Sequence, residues 1–488
     1  MGSMEKIETR LFINGKFVES SDGKTFPIRS PTTREVIAEV SEASEKDTDA
    51  AVAAAKAAFP AWSALSPDER GAYMKKLAAL LNQNYKELSQ LEAVSMGRPV
   101  STYFDNYAAA STFEHYAEAG YEAQGISSLN TPGFVNMTFK QPYGVVAAII
   151  PWNLPLVFFG NKVAPAIAAG NTVVLKSSEK APLTSAKVAA LIEQAGFPPG
   201  VINVLSGHGQ TSGAILSSHM DVRALSFTGS CRTGRIIQAA AAKSNLKNVI
   251  LELGGKSPAI IFEDSNLENA VVETQSSIQF NSGQVCMANS RIYVQDTIAD
   301  KFVELFKSKF AAISAGDPLD PATNHGPQAD SAQWDTVQKY LAEGKKAGDV
   351  ALGGKTEVSG LSEAASKGYF VEPTIFLSTP EDAVVMKEEI FGPVVNINTF
   401  KTEEEVIAKA NDSEFGLYAA VYTKDINRAM RFAKVLEAGT VGVNCTSPTV
   451  AKDMPFGGFK SSGTGREGLG HSLNNFLETK TVLIKINS

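Results

Sequence analysis

Cysteine is scarce in this sequence, which has only Cys231, Cys286 and Cys445 among its 488 residues. Three widely spaced thiols exclude a disulfide framework and favour a reducing compartment. Long apolar runs are also missing, since no segment approaches the roughly 18 uninterrupted apolar residues of a membrane span. The opening residues, MGSMEKIETR, contain no apolar stretch of the signal-peptide kind. These absences predict a cytoplasmic protein without a membrane partner.

A surplus of positive charge is missing as well. Lys and Arg together number 45 against 52 Asp and Glu, which gives a net charge of −7. Nucleic acid is therefore not expected as a partner. The sequence is 44% hydrophobic and 20% charged, which is typical of a globular protein. A chain of this length exceeds what one hydrophobic core organises, so two or three domains are expected.

Short apolar runs alternate with helical patterns from Gly144 onward. The runs GVVAAII, TVVLK, GVINVLS, VRALSF and NVILEL are typical of buried strands. Patterns with apolar residues at three- and four-residue spacing, such as APLTSAKVAALIEQAG, separate these runs. This alternation predicts a parallel, doubly wound α/β sheet. It resumes after Gly255 with PAIIFE and predicts a second α/β domain.

Two segments fit neither alternation. FVNMTFKQPY (134–143) and TKTVLIKINS (479–488) alternate apolar and polar residues and are expected to form exposed edge strands. Because unpaired edges promote aggregation, we expect both to pair in an oligomer interface. The alternative is a pair of solvated edges protected by Lys140 and Lys485.

Two motifs suit a nucleotide. SFTGSCRTGR places Gly229 and Gly234 between an expected strand and an expected helix, where a phosphate can rest on free backbone N–H groups. The alternative interpretation is that Gly229 and Gly234 are ordinary turn glycines with no ligand. VVLKSSE places Lys176 and Glu179 at a strand end, where they could contact a ribose or form a surface ion pair.

Three residues could carry chemistry on a carbonyl. Cys286, in QFNSGQVCMANSRIYV, has small and polar neighbours, which favours an accessible thiol that can act as a nucleophile. Glu252, in LELGGK, has apolar neighbours that would raise its pKa and suit it to act as a base. Asn153, in IIPWNLP, could donate to an oxyanion. A cysteine esterase using the same groups without a nucleotide remains an alternative.

With these residues and motifs in this order, the sequence resembles the NAD(P)-dependent aldehyde dehydrogenase superfamily over nearly its whole length. The motifs are FTGS, LELGGK, GQVC, EEIFGPV and PFGGFKSSGTGREGLG. The resemblance implies a Rossmann-type cofactor domain from 4–123 and 143–254 and an α/β catalytic domain from 255–470. It also implies a small β oligomerisation extension from 124–142 and 471–488, in a homodimer or homotetramer.

The resemblance also implies roles. Cys286 would attack an aldehyde to give a thiohemiacetal and then a thioester, with Asn153 holding the oxyanion. Glu252 would activate the hydrolytic water, and Lys162 would assist proton transfer unless it is a helix-surface lysine. The thiol is expected to ionise readily, and Glu252 is expected to be mobile or held back until oxidation is complete. No metal site is expected.

Further positions follow from the same resemblance. The cofactor residues would be Pro151, Trp152, Lys176, Glu179, Phe227, Gly229, Ser230, Gly234, Leu253, Gly254, Glu389 and Phe391. The substrate tunnel would be lined by Leu154, Val157, Phe158, Asn161, Phe280, Val285, Met287 and Phe456.

Cofactor and substrate classes can be predicted from these sets. The carboxylate of Glu179 should repel the extra phosphate of NADP, so NAD is expected, although Ser178 and Lys180 keep NADP use open. The tunnel residues are uncharged and mostly apolar, which favours a medium-chain or aromatic aldehyde. A NADP-preferring or semialdehyde-specific member of the same superfamily is the alternative.

Overall fold

The computed structural model describes residues 7–355 and 358–486. The helices are α1 Glu45–Ala64, α2 Pro67–Gln83, α3 Tyr85–Met96, α4 Asp105–Ala119, α5 Pro155–Ala168, α6 Pro182–Ala195, α7 Ala214–Ser218, α8 Cys231–Lys243, α9 Leu267–Gln279, α10 Ala299–Ala311, α11 Ser331–Ala347, α12 Val384–Lys387, α13 Glu403–Asn411, α14 Ile426–Val435 and α15 Ser472–Asn475.

The first eleven strands are β1 Leu11–Ile13, β2 Lys16–Val18, β3 Thr25–Arg29, β4 Val36–Ser41, β5 Ser127–Ser128, β6 Phe134–Pro142, β7 Val145–Ile149, β8 Thr172–Lys176, β9 Ile202–Leu205, β10 Val222–Thr228 and β11 Asn248–Glu252. The others are β12 Pro258–Ile261, β13 Arg291–Gln295, β14 Asp349–Leu352, β15 Thr374–Leu377, β16 Val394–Phe400, β17 Phe415–Gly416, β18 Tyr418–Tyr422, β19 Thr440–Val443, β20 Phe459–Lys460, β21 Gly463–Thr464 and β22 Leu477–Lys485.

Two large sheets organise the chain and confirm the predicted α/β fold class. The first has the order β2-β1-β9-β8-β7-β10-β11-β21, and its five central strands are parallel. The second has the order β14-β15-β16-β13-β12-β18-β19, in which only β14 runs antiparallel to its neighbour. Both faces of β7 are buried, because Val146 and Val145 enter different hydrophobic clusters. The first sheet is therefore covered on both sides, as its near-continuous apolar strands predict.

The chain returns to the first sheet late in the sequence. Strand β21 pairs antiparallel with β11, with Gly463 opposite Glu252 and Thr464 opposite Leu251. The glycine-rich segment PFGGFKSSGTGREGLG is thereby brought against the strand that carries Glu252. The predicted domain boundaries stay predictions. Residues 4–6 of the expected cofactor domain and 487–488 of the expected oligomerisation segment lie outside the described residues.

The two alternating segments pair with each other within the chain, and their expected place in an oligomer interface stays a prediction. Strand β22 runs antiparallel to β6 over nine residue pairs, from Leu477 opposite Pro142 to Lys485 opposite Phe134. With β5 they form a three-stranded sheet of order β22-β6-β5. Alternation along a strand reveals which side is solvated, but it carries no information about the partner strand.

The length and apolar content of the helices test whether any of them could cross a membrane. Among the helices of the described ranges, none is both long enough and apolar enough to cross a bilayer. The predicted cytoplasmic location is not tested by this finding and stays a prediction.

Candidate active site

One cavity collects residues from both large sheets. It has a volume of about 220 Å³ and lies at the carboxyl ends of β7, β10 and β11, where ligands bind in open α/β sheets. Its lining consists of Pro151, Trp152, Asn153, Phe158, Thr228, Gly229, Ser230, Leu253, Gly254, Cys286, Gln333, Thr336, Glu389, Ile390 and Phe391. A larger surface groove of about 670 Å³ lies beside α10 and β16, but it contains none of the predicted site residues. The smaller cavity is therefore the candidate site.

Asn153 is tied to the loop that carries Cys286. Its side-chain amide donates to the carbonyl of Gln284 at 3.0 Å, and its own carbonyl accepts from the amide of Asn281 at 3.0 Å. The loop turns sharply, because Asn281 and Ser282 both adopt left-handed backbone angles, with φ of 49° and 54°. Such angles persist in non-glycine residues only where the surroundings hold them. The nucleophile and the amide therefore share one rigid unit.

The thiol of Cys286 is less acidic than expected. The residue is only part-buried because it faces the cavity, yet protein atoms surround the sulfur. This burial, together with the negative charges of Glu389 and Glu252, raises the pKa of Cys286 to about 12. The expectation of a readily ionised thiol is therefore not met in this arrangement, since two nearby carboxylates disfavour the thiolate.

Glu252 has the raised pKa that its sequence context predicts. It ends β11 and is 3% exposed, and its Oε1 atom has no hydrogen-bond partner among the described residues. Burial and the charge of Glu467 raise the pKa of Glu252 well above its usual range, against the opposing charges of Lys162 and Arg466. A Cβ atom on Gly457 would lie 2.8 Å from Oε1, so a glycine leaves this carboxylate its space.

Lys162 is fully buried, which rules out the helix-surface alternative. Its Nζ atom lies 2.7 Å from Glu467 Oε1 and 2.9 Å from Ser226 Oγ, and that hydroxyl donates to the same carboxylate oxygen at 3.1 Å. Sequence reasoning gave Glu467 no role. An acidic residue inside the glycine-rich GTGREGLG was the available signal, but only the pairing of β21 with β11 brings this segment near Glu252.

The glycine turn after β10 is built for close backbone approach. A Cβ atom on Gly229 would collide with the ring of Phe227, and one on Gly234 would lie 2.8 Å from the side chain of Leu253. The next residue, Ser230, caps α8 by accepting from the backbone N–H of Thr233 at 3.3 Å. Phe227 and Gly234 thus shape the turn from outside the cavity. The helix start presents free N–H groups to an anion.

Lys176 and Glu179 form a contact at the end of β8. Their charged groups lie 3.4 Å apart, with Lys176 buried and the side chain of Glu179 38% exposed. Burial opposes ionisation of Glu179, but the charge and hydrogen bond of Lys176, a backbone hydrogen bond and the charge of Lys180 together lower the pKa of that carboxyl. The pair does not line the 220 Å³ cavity. Because its pKa is lowered, the carboxyl of Glu179 keeps a negative charge at the end of β8.

Glu389 and Phe391, which precede β16, also line the cavity. The Oε1 atom of Glu389 accepts from the backbone N–H of Gly255 at 2.9 Å, and its other oxygen would collide with a Cβ atom on Gly254. Burial raises the pKa of Glu389 to about 7, against the hydrogen bond from Gly255 and the charge of Lys256. The ring of Phe391 meets that of Trp152 edge-to-face, with centroids 5.3 Å apart.

The predicted substrate residues are only partly brought together. Phe158 lines the cavity beside Cys286. The others do not line it: Leu154, Val157, Asn161, Phe280, Val285, Met287 and Phe456. Of these, Val285 packs in the core of the second sheet, and the ring of Phe280 lies over the buried guanidinium of Arg98 at 5.3 Å. Four further lining residues were given no role by sequence reasoning, although Thr228 lies in the FTGS motif and Ile390 in EEIFGPV; the other two, Gln333 and Thr336, lie in no motif.

Comparison with known proteins places this geometry in a family. The model of the aldehyde dehydrogenase family matches residues 17–482. An aldehyde dehydrogenase of Davidiella tassiana is 47% identical over 98% of this chain and 95% of its own length. Human retinal dehydrogenase 2 is 43% identical over 98% of this chain and 92% of its own length.

A solved structure agrees with the sequence relatives. An indole-3-acetaldehyde dehydrogenase mutant of P. syringae, in complex with NAD+ and IAA, superposes with a TM-score of 0.95. It is 40% identical and covers 99% of this chain and 97% of its own. The chain that forms this cavity is thus similar to aldehyde dehydrogenases along nearly its whole length. The chain belongs to the aldehyde dehydrogenase family.

Proposed function

We propose that this protein oxidises an apolar aldehyde, medium-chain or aromatic, to the carboxylic acid with NAD. The observation that carries the proposal is the shared cavity, in which the thiol of Cys286 faces the turn at Gly229 and Ser230. A nucleophile and an anion-binding helix start in one cleft suit an aldehyde and a dinucleotide bound side by side.

The lining fits the cofactor. The hydroxyl of Thr228, in the cavity lining, is buried without a hydrogen-bond partner among the described residues. Positions 229 and 254 must be glycine, because a Cβ atom would collide with Phe227 and Glu389. Gly229, Ser230 and Trp152 would hold the pyrophosphate side, and Glu389 and Phe391 the nicotinamide side. When bound, NAD supplies the acceptor for the hydride that leaves the aldehyde carbon.

The chain's own groups divide the remaining chemistry. Cys286 Sγ releases its proton to water and bonds to the carbonyl carbon, whose oxygen takes the π electrons and becomes negative. The amide of Asn153 stabilises this oxyanion, since it has a second N–H beside the one given to Gln284. After oxidation, Glu252 takes a proton from the water that cleaves the thioester. Lys162 and Glu467, joined at 2.7 Å, are the proposed path by which that proton leaves Glu252.

The cofactor preference rests on Glu179. Its lowered pKa keeps a negative charge where the adenosine ribose would bind, which disfavours the extra phosphate of NADP. Lys180, one of the two residues that kept NADP use open, is engaged in an ion pair with Asp330 at 2.9 Å. Both observations support NAD.

Absorbance of the reduced nicotinamide tests this proposal. The panel combines NAD or NADP with acetaldehyde, hexanal, benzaldehyde, betaine aldehyde and succinic semialdehyde. We expect the highest kcat/KM with NAD and hexanal or benzaldehyde, because Phe158 presents an apolar surface beside Cys286. Higher values with NADP, betaine aldehyde or the semialdehyde would contradict the proposed cofactor and substrate classes. Ester hydrolysis without cofactor as fast as oxidation would favour the esterase alternative.

We also propose that the protein is a homodimer or homotetramer joined through the β5–β6–β22 sheet. This sheet and its flanking residues carry exposed apolar side chains, among them Ile126 at 74%, Leu129 at 72% and Leu483 at 65% exposure. Patches of this kind mark contact surfaces.

Replacement of one side chain tests this interface. Leu483→Glu should lower the mass measured by light scattering towards that of one chain, because a charge is costly in an apolar contact. Met220→Glu is the matched control, since Met220 is also 65% exposed but lies outside this sheet. An unchanged mass for Leu483→Glu, or a wild-type monomer, would contradict the proposal.

A further inference from the structure

We propose that Lys180 and Asp330 are positioning residues for the cofactor, acting through the cavity wall formed by Trp152 and Phe391. The inference rests on the proposed function. Neither Lys180 nor Asp330 lines the cavity, so neither is expected to touch the cofactor there. Their influence passes through a closed ring of contacts that also includes Gln333.

The ring begins at Lys180. Its Nζ atom lies 2.9 Å from the carboxylate of Asp330 and 5.1 Å from the ring centroid of Trp152. A cation over an indole face is attracted by the ring's electrons. The side chain of Lys180 is only 20% exposed and that of Asp330 33% exposed, so solvent weakens the ion pair only in part. One ammonium group therefore fixes the indole relative to the carboxylate.

The ring closes through α11. Asp330 caps this helix, because its Oδ1 atom accepts from the backbone N–H of Gln333 at 2.8 Å. The side-chain amide of Gln333 then donates to the carbonyl of Phe391 at 2.8 Å. Phe391 has a left-handed backbone with φ of 59°, an angle that a bulky residue keeps only when its neighbours hold it. Its ring meets Trp152 at 5.3 Å, which completes the circuit.

This circuit joins two separate sheets. Trp152 and Lys180 follow β7 and β8 of the first sheet, whereas Phe391 precedes β16 of the second and Asp330 precedes α11. The two aromatic rings touch each other in the cavity lining, and each comes from a segment next to a different sheet. The ion pair thus holds together the aromatic wall, made by Trp152 and Phe391, against which the cofactor is proposed to bind.

Calorimetric titration with NAD and steady-state kinetics test the inference. Lys180→Met keeps the aliphatic stem but removes the cation, and Asp330→Asn keeps an oxygen that can cap α11 but removes the charge. We expect each to raise the Kd and KM for NAD about three- to ten-fold, the scale of one cation–π contact or ion pair. The kcat at saturating NAD should change less than about two-fold, because no reacting group is altered. Lys180→Arg should restore the affinity, since a guanidinium both pairs and stacks.

The matched control is Lys187→Met. Lys187 lies on α6 and pairs with Glu87 with similar exposure of the two side chains, 18% and 42%, but away from the cavity. Unchanged NAD affinity in Lys180→Met and Asp330→Asn, or an equal loss in Lys187→Met, would overturn the inference. If the wild-type protein oxidises no aldehyde with NAD, the proposed function fails. The calorimetric affinities then decide this inference separately.

Discussion

Cys286→Ser is expected to lower NAD-dependent aldehyde oxidation by about a thousand-fold or more, on the scale of other nucleophile deletions, and to leave the fold and NAD affinity intact. The reason is that a hydroxyl is a far weaker nucleophile than a thiol and forms its anion less readily. The substitution changes one atom inside a loop that Asn153 and Gln284 hold through backbone and amide contacts. No packing is lost that would explain a fall in rate by unfolding.

Cys445→Ser is the control for this change. Cys445 is also part-buried, and burial raises its pKa, but it does not line the cavity. Oxidation of the aldehyde that the wild type prefers, followed by absorbance of the reduced nicotinamide, should be retained in Cys445→Ser and lost in Cys286→Ser. Thermal melting and NAD calorimetry establish that both variants are folded. Wild-type turnover in Cys286→Ser would show that another group is the nucleophile.

Glu252→Gln is expected to slow steady-state oxidation by about 10²- to 10⁴-fold, the range of general-base catalysis, and to make acyl-enzyme accumulate. The amide cannot take a proton from water, so the thioester on Cys286 persists after oxidation. We expect a burst of reduced nicotinamide close to one per subunit, followed by a slow phase. Intact-protein mass spectrometry should show the acyl adduct on the variant.

The role of Glu252 also predicts the direction in which the deacylation rate changes with pH. Burial and the charge of Glu467 raise the pKa of Glu252, so the active carboxylate form is lost as pH falls through that raised pKa. Wild-type deacylation should therefore weaken at a higher pH than the ordinary carboxyl range would give. Glu252→Gln should lose this limb of the profile.

Glu467→Gln is the informative comparison. This substitution removes the negative charge of Glu467, which together with burial raises the pKa of Glu252. It also leaves the cation of Lys162 without its ion-pair partner. Both changes stabilise the Glu252 carboxylate, so the acidic limb should move to lower pH. Turnover should fall, because the proposed path for the proton loses Glu467. Unchanged steady-state rates in Glu252→Gln would remove it from the role of base. A missing burst would shift its role to the acylation step.

Much of this protein could be predicted from its sequence. The runs TVVLK and NVILEL became the parallel strands β8 and β11, because β-branched apolar runs between helical patterns have few other folded solutions. Asn153, Gly229 and Cys286 were expected in one site and line one cavity. The carboxyl ends of parallel strands meet at one edge of a sheet, so the positions of motifs along the chain were enough to predict that meeting.

Other features depended on packing between distant segments. The antiparallel pairing of β6 with β22, the burial of Lys162 against Glu467 and the ion pair of Lys180 with Asp330 each join residues more than a hundred positions apart. The high pKa of Cys286 likewise comes from burial and from the charges of Glu389, which precedes β16 of the second sheet, and Glu252, which ends β11 of the first. The sequence by itself determined the fold class and was enough to predict a nucleophile and an oxyanion donor, because local periodicity and motif order indicate them. Only the tertiary structure decided which charges are buried together, because desolvation and Coulomb interactions depend on distances that no local pattern encodes.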